Sequence, residues 1–137
     1  MSTKISTKRI KIANDNINIP NLPNMDEKIT ITVNGEKYSE IIHTFDQNYQ
    51  DGKYKKKCFM KETFLGNLKH SVDDHPAEIG YFPDGIIRWE IWYKDGLVHR
   101  DNELPAHIFY FNNGKMSDTY WYVDGVMVKA EIYHTSY

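Results

Sequence analysis

The sequence predicts an all-β protein, an antiparallel β-meander built from β-hairpin repeats of about 29 residues, with a disordered N-terminal arm. Three observations lead to this prediction. Similar residues recur at a constant offset in the last half of the 137-residue chain. Turn pairs such as Asn-Gly and Asp-Gly punctuate the chain. Between the turns, apolar and polar residues alternate as they do in half-buried strands.

Residues 1–27 are expected to form a flexible, basic and polar arm. The first 26 residues contain no aromatic residue and no glycine, so they offer too little apolar surface to offset the entropy of ordering. Four cations lie in this arm, namely Lys4, Lys8, Arg9 and Lys11. We interpret them as a solvated segment, because four spread charges fall short of a dense basic block. The alternative is an arm that touches nucleic acid or an acidic partner.

The repeat domain is expected over residues 28–137. It begins with a strand in which Ile29, Ile31 and Val33 alternate with threonines, and Asn34-Gly35 follows as a hairpin turn. Two clear units, 67–95 and 96–124, are followed by a partial unit, 125–137. Residues 35–66 are interpreted as a degenerate first unit.

Matched positions in the two clear units carry the same or similar residues. The pairs are Leu68 and Leu97, His70 and His99, Pro76-Ala77 and Pro105-Ala106, Ile79 and Ile108, Tyr81-Phe82 and Tyr110-Phe111, Gly85 and Gly114, Trp92-Tyr93 and Trp121-Tyr122, and Asp95-Gly96 and Asp124-Gly125. Asn67 stands where Gly96 and Gly125 recur, and asparagine tolerates the left-handed region best among non-glycine residues, so we expect a left-handed turn residue there.

The degenerate unit aligns less directly. Ile42 and Phe45 would correspond to Ile108 and Phe111, and Asp51-Gly52 would form the turn in the middle of the unit. This unit matters because a single repeat cannot bury its apolar face, and about three are usually needed for stability.

The repeat resembles divergent MORN-like repeats found in uncharacterised proteins of large DNA viruses and bacteriophages. The resemblance covers residues 67 to about 128 and rests on His99-Arg100, Pro105-Ala106, Trp121-Tyr122 and Asp124-Gly125. It departs from the ordinary MORN unit, which is shorter and richer in glycine, and Ser71 stands in the first unit where the second has Arg100. The resemblance implies a sheet of hairpin repeats with an interaction role, and it supplies no catalytic residue.

Composition excludes several classes of protein. A net charge of -2 argues against nucleic-acid binding by bulk charge, and no apolar run approaches the roughly 18 residues of a membrane span. The single cysteine excludes an intrachain disulfide and a cysteine-cluster zinc site. The N-terminus lacks the apolar segment of a secretory signal, so we expect a cytoplasmic protein (the host cytoplasm if viral) that is not secreted. No cofactor or small-molecule substrate is expected.

Two groups of side chains could carry chemistry. A metal could bind between adjacent units through a polar cluster that consists of His70, Asp73, Asp74, His75, His99 and Asp101. The favoured interpretation is structural, because a histidine that recurs in each unit is more often stacked on a ring and hydrogen-bonded to a turn. Cys58 follows three lysines that could lower its pKa, although packing as a small apolar side chain is favoured. We therefore expect no catalytic residue and no metal site.

Aromatic residues give the strongest functional indication. Three Trp, ten Tyr and six Phe make up 14% of the chain, and rings fall on both faces of each predicted strand. In a single-layer sheet one set of rings would be exposed and would mark a partner or self-association site, whereas a two-layer sheet would bury both sets. The expected partner-binding residues are Arg88, Trp92, Arg100, Phe109, Phe111 and Trp121.

The predicted function is a non-enzymatic protein-binding or assembly module. The first alternative is a nucleic-acid-associated protein that uses the basic arm and stacks bases on the rings. The second alternative is a small metal-dependent enzyme, which requires His70, Asp74 and His99 to converge.

Overall fold

The fold is known from a computed structural model that describes the backbone of residues 5–13, 25–48 and 54–133, and the side chains of 26–45 and 57–133. These residues form strands, turns and loops, and no helix, as the all-β prediction requires. No described helix is therefore long and apolar enough to cross a membrane. The strands are β1 Ile5–Ala13, β2 Met25–Val33, β3 Glu36–Asn48, β4 Tyr54–Leu65, β5 Leu68–Lys69, β6 Glu78–Tyr81, β7 Ile87–Ile91, β8 Tyr93–Lys94, β9 Leu97–Val98, β10 His107–Tyr110, β11 Met116–Val123 and β12 Val126–Ile132.

The strands follow a meander. Nine lie side by side in the order β1-β2-β3-β4-β6-β7-β10-β11-β12, and β5 adds to β4 to make a ten-stranded sheet. Each pairing is antiparallel, and β8 and β9 form a separate two-stranded hairpin between β7 and β10. The antiparallel meander predicted from the turn spacing is confirmed.

The N-terminal segment differs from the sequence prediction. Residues 5–13 of the predicted flexible arm form β1, which pairs along its whole length with β2, and β2 itself begins at Met25. Backbone pairing with an existing strand requires no buried apolar face, so the polar composition of β1 does not prevent it. The rest of the arm, 1–4 and 14–24, lies outside the described residues.

Three hairpin turns have the same backbone geometry. In Asn34-Gly35, Asp95-Gly96 and Asp124-Gly125 both residues have positive φ, near 50° and then 83°, as in a type I′ turn. The fourth turn differs from the prediction, because the positive φ of 62° belongs to Gly66 and not to Asn67. Glycine at the first central position is typical of a type II′ turn, so Asn67 does not need the left-handed region.

Four pairs of the described strands have a register shift, one of them between Trp121 and Tyr122 in the pairing of β11 with β12. The other three shifts also share a residue type near the shift. The register shifts between His43 and Thr44, between Gly80 and Tyr81, and between Phe109 and Tyr110. In each of these three pairs the second residue before the shift is an isoleucine, namely Ile42, Ile79 and Ile108. Ile42 and Phe45 thus lie at the same distances before and after the shift as Ile108 and Phe111 do. The expected turn at Asp51-Gly52 lies outside the described residues.

The core lies mainly on one face of the sheet. We call this the core face. It contains Ile79, Glu90, Ile108 and Thr119, which are paired across four strands. By strand alternation it also holds most of the buried side chains, which are Ile29, Val33, Tyr38, Ala77, Trp92, Ala106, Ile108 and Thr119. The opposite face, called the second face, carries Glu62, Glu78, Ile91, His107 and Tyr120 in one row.

Candidate functional site

The two recurring histidines hold turns in place. The Nδ1 atom of His70 accepts the backbone N–H of Asp95, and that of His99 accepts the backbone N–H of Asp124, both at 3.0 Å. Nδ1 is therefore unprotonated in both rings. The Nε2 atom of His99 lies 2.7 Å from Asp101 Oδ1, so Nε2 carries the proton and donates it. This bond holds the pKa of Asp101 below its ordinary value.

Stacking is also present at one of these histidines. The His70 ring stacks on the Tyr38 ring with centroids 6.1 Å apart. Ring stacking and a turn hydrogen bond are the two structural uses that the sequence suggests for a recurring histidine. The side chain of His70 is thus occupied on one nitrogen and on one ring face.

Asp74, Arg100 and Trp92 form a second structural cluster. The indole N–H of Trp92 donates to the Asp74 carbonyl at 2.9 Å, and the Arg100 guanidinium lies 3.8 Å from the Trp92 ring centroid. Arg100 also donates to both Asp74 carboxylate oxygens, at 3.0 and 3.1 Å. These bonds hold the pKa of Asp74 below its usual range. Trp92 is only 5% exposed, so this ring and its guanidinium cover hold a loop against the sheet.

A copy of this cluster lies 29 residues further along the chain. The Trp121 indole donates to the Glu103 carbonyl at 3.1 Å, and the Lys129 ammonium lies 4.4 Å from the Trp121 ring. Thus Lys129 takes the place of Arg100. The residue that lies 29 positions before Arg100 is Ser71, and the residue that lies 29 positions before Trp92 is Thr63. The missing cation of the first unit therefore coincides with a missing ring, which explains why the His-Arg pair is intact only once.

The proposed metal ligands do not assemble a site. His70, Asp74, His99 and Asp101 line one pocket, but most of their ligand atoms already have partners. Nδ1 of His70, both nitrogens of His99, both Asp74 carboxylate oxygens and Oδ1 of Asp101 are hydrogen-bonded to turns, to Arg100 or to each other. Asp73 and His75 lie outside its lining. Within residues 26–45 and 57–133, no group of three or more His, Cys, Asp or Glu side chains could hold a metal ion.

Cys58 has no feature of an activated thiol. The side chain is half-buried, and its thiol lies 3.7 Å from the Met60 carbonyl. Burial raises the pKa of Cys58 and outweighs the opposing effect of Lys61. A thiol held in its neutral form is a poor nucleophile.

Three of the six predicted partner-binding residues converge on one open hollow of about 570 Å³. Arg88, Phe109 and Phe111 line it together with Phe82 and Tyr120, and we call it the aromatic hollow. Its rings are half-buried and Arg88 is exposed. The Arg88 guanidinium lies 5.4 Å from the Phe82 ring centroid, and Phe109 meets Tyr120 edge to face with centroids 6.2 Å apart. The other three predicted residues, Trp92, Arg100 and Trp121, belong to the two structural clusters.

Sequence reasoning missed a polar network on the second face. His43 bridges Asp26 and Glu62 at 3.2 and 2.7 Å, and Lys69 bridges Glu62 at 2.9 Å to Glu78. The Trp89 indole donates to Glu78 at 2.8 Å. The network therefore links β2, β3, β4, β5, β6 and β7. The only signal in the sequence is charge at alternate strand positions, which solvated residues also show.

The acidic and basic side chains of this network stabilise each other in their charged forms. Burial would raise the pKa of Glu62, but hydrogen bonds from Lys69 and His43 outweigh it and hold the pKa below its ordinary value. Burial would likewise lower the pKa of Lys69, but bonds to Glu78 and Glu62 outweigh it and raise the pKa. Both groups thus remain charged, as half-buried pairs with several partners do.

Comparison with known proteins gave no match among family models, curated proteins or solved structures.

Proposed function

We propose that this protein is a non-enzymatic protein-binding module built from MORN-like hairpin units, and that the aromatic hollow is its contact surface. The observation that carries the proposal is the convergence of Phe82, Phe109, Phe111, Tyr120 and Arg88 on one open surface. Aromatic and arginine side chains are the residues that most often dominate binding energy at protein interfaces. A partner side chain inserted among these rings would bury apolar area with little loss of rotamer freedom.

The repeat interpretation rests on contacts that recur at the same offset. Histidine-to-turn, tryptophan-to-carbonyl and cation-to-ring contacts each occur twice, 29 residues apart. The shared register shift extends the pattern to the pairing of β3 with β4. In such an architecture neighbouring units provide a rigid platform, and the side chains at one end of the hairpins are left for a ligand.

A non-enzymatic role is supported by the use of the polar residues. His70, His99 and Asp74 are the strongest candidates for chemistry, and each is engaged in holding a turn or a loop. A catalytic base needs a lone pair that is free to take a proton from substrate, and Nδ1 of both histidines is occupied.

Charge around the hollow favours a protein over a nucleic acid. Arg88 is its one cation, and Asp118 lies in the same lining. Asp84 accepts hydrogen bonds from the Ile86 backbone N–H and from the Asn112 side chain, and these bonds hold the pKa of Asp84 below its ordinary value. Phosphates bind where cations exceed anions, so stacked bases would meet repulsion here.

The test is affinity capture from native host lysate, followed by mass spectrometry, with Arg88→Glu as the hollow variant. Lys94→Glu is the matched control, because Lys94 is an exposed strand cation outside the hollow. We expect wild type and Lys94→Glu to retain the same proteins and Arg88→Glu to lose them. Equal capture by both variants, or none by wild type, would contradict the proposal. A gel shift with single-stranded oligonucleotides that weakens with salt and with Arg88→Glu would favour nucleic acid instead.

A further inference from the structure

Successive hairpins of this protein stack through one repeated contact. A Cδ atom of Leu68 lies 3.1 Å from the position that a Cβ on Gly96 would occupy, and the corresponding Leu97 atom lies 3.4 Å from that position at Gly125. Beside each leucine, a carbonyl of the earlier hairpin accepts the glycine N–H of the next turn, Lys69 from Gly96 and Val98 from Gly125, both at 2.9 Å. The β4–β5 and β8–β9 hairpins therefore each receive the turn that follows them. The Asn34-Gly35 hairpin does not receive the next turn, because no described atom lies within 4 Å of the position of a Cβ on Gly66.

The last hairpin repeats this receiving surface. Val126 pairs with Val123 as Leu68 pairs with Leu65 and as Leu97 pairs with Lys94, so Val126 takes the leucine position. The Met127 carbonyl then takes the position of the carbonyls of Lys69 and Val98. Within the described part of the chain no turn lies on this hairpin, and the exposed fractions of Val126, Met127 and Val128 are 64%, 53% and 61%.

The first turn of the domain has the matching shape. Asn34 and Gly35 have φ of 50° and 84°, against 49° and 82° for Asp95 and Gly96. Both residues are exposed, and no described atom lies within 4 Å of the position of a Cβ on Gly35. This turn therefore offers the same glycine and the same backbone geometry that the receiving surface accepts inside the molecule.

We propose that copies of this chain associate head to tail, with the Asn34-Gly35 turn of one copy on the Val126–Val128 hairpin of the next. The contact would repeat between copies the one that the Gly96 and Gly125 turns make inside a copy. The two surfaces are different, so the association is heterologous and builds open chains unless the rotation closes a ring. This surface is separate from the aromatic hollow, so the proposal does not depend on the proposed function.

One internal bond is absent at this junction. Val128 lies at the position of His70 and His99, and a valine side chain cannot accept the turn N–H that those histidines accept. The contact between copies is therefore weaker than the contact within a copy, and association is expected at high protein concentration.

Two single variants and their mixture test the proposal. Val126→Asp places a charge on the receiving surface, and Gly35→Asn adds a side chain to the turn while asparagine tolerates its positive φ. Sedimentation velocity at concentrations up to about 1 mM should show wild-type species larger than a dimer, and each variant alone should be monomeric. An equimolar mixture should form dimers and nothing larger, because each variant keeps one competent surface.

The controls introduce the same two residues, aspartate and asparagine, at positions outside the proposed contact. Met116→Asp changes an apolar side chain that is 50% exposed, and Gly114→Asn changes a glycine with φ of 86° and open space around it. Both should associate as wild type does. Val128→His restores the missing acceptor and should strengthen association at least several-fold.

Three outcomes would overturn the proposal. The first is a wild-type protein that remains monomeric at every concentration. The second is association of either variant alone to the wild-type extent. The third is a wild-type species that stops at a dimer, because a two-fold contact uses the same surface on both copies.

Discussion

Replacing Trp92 with Phe weakens one buried site in three ways. The variant loses the indole bond to the Asp74 carbonyl, part of the contact with Arg100, and the volume of the larger ring. Trp121→Phe removes the same contacts from the second copy of the cluster, where the indole bond is 3.1 Å and the cation is 4.4 Å from the ring. The pair is therefore a matched comparison within one protein.

The two costs differ because the burial differs. For Trp92, the lost hydrogen bond contributes about 1 kcal/mol, the weaker cation–π contact about 0.5 kcal/mol, and the vacated volume about 1.5 kcal/mol. The free energy of unfolding should therefore fall by about 3 kcal/mol. Trp121 is partly exposed, so water can replace many of the contacts that the substitution removes. The free energy of unfolding of Trp121→Phe should therefore fall by about 1 kcal/mol.

Urea unfolding followed by far-UV circular dichroism measures both values without using tryptophan as the probe. With a denaturant slope of about 2 kcal/mol/M, the midpoint should drop by about 1.5 M for Trp92→Phe and by about 0.5 M for Trp121→Phe. If the two substitutions lower the free energy of unfolding equally within about 0.5 kcal/mol, or if Trp121→Phe lowers it more, Trp92 is not the residue that holds the loop against the sheet.

Two further predictions concern the second face. Gly80→Ala should destabilise the fold by about 1–3 kcal/mol in the same urea assay, because the new Cβ would lie 2.2 Å from the Trp89 ring; a loss below about 0.5 kcal/mol would show that this ring moves freely. Burial lowers the pKa of His107, so as the pH falls through about 6.5 the unfolded chain takes up a proton at this residue before the folded protein does, and stability should fall as the pH drops from about 7 to about 5. His107→Phe should flatten that part of the stability profile, and an unchanged slope would assign the acid sensitivity to other groups.

Local sequence signals predicted the hairpin turns and the meander, but not strand β1. Asn34-Gly35 and Asp95-Gly96 form the hairpin turns that their residue types favour, because φ at a turn depends mainly on the residues in it. The turn at Asn67 was located correctly, but its positive φ was assigned to the wrong residue. Gly66 precedes Asn67, and glycine takes the left-handed position at lower cost.

Non-local contacts limited the prediction of the candidate site. Alternation places Trp92 on one face of a strand, but it does not show that the loop carrying Asp74 crosses that face and covers the ring. Arg88, Phe109 and Phe111 come together because β7 and β10 are neighbours, which depends on the β8–β9 hairpin leaving the sheet. A pattern within one strand carries no information on either event.

The polar network shows the same limit more strongly. Asp26, His43, Glu62 and Lys69 lie far apart in sequence and meet only when four strands are in register. Each residue alone resembles an ordinary solvated charge. The network could be recognised only after the pairing was known.

The most direct test of the central claim, that the recurring histidines anchor successive turns, is nitrogen–nitrogen scalar coupling across the hydrogen bond in uniformly ¹⁵N-labelled protein. An N–H···N bond transmits such a coupling, and both copies should show it, between the Asp95 amide and His70 Nδ1 and between the Asp124 amide and His99 Nδ1. Both imidazoles should also be the Nε2–H tautomer. Absence of both couplings, or a proton on Nδ1 of either ring, would contradict the claim. These nitrogens would then again be candidates for metal or substrate binding.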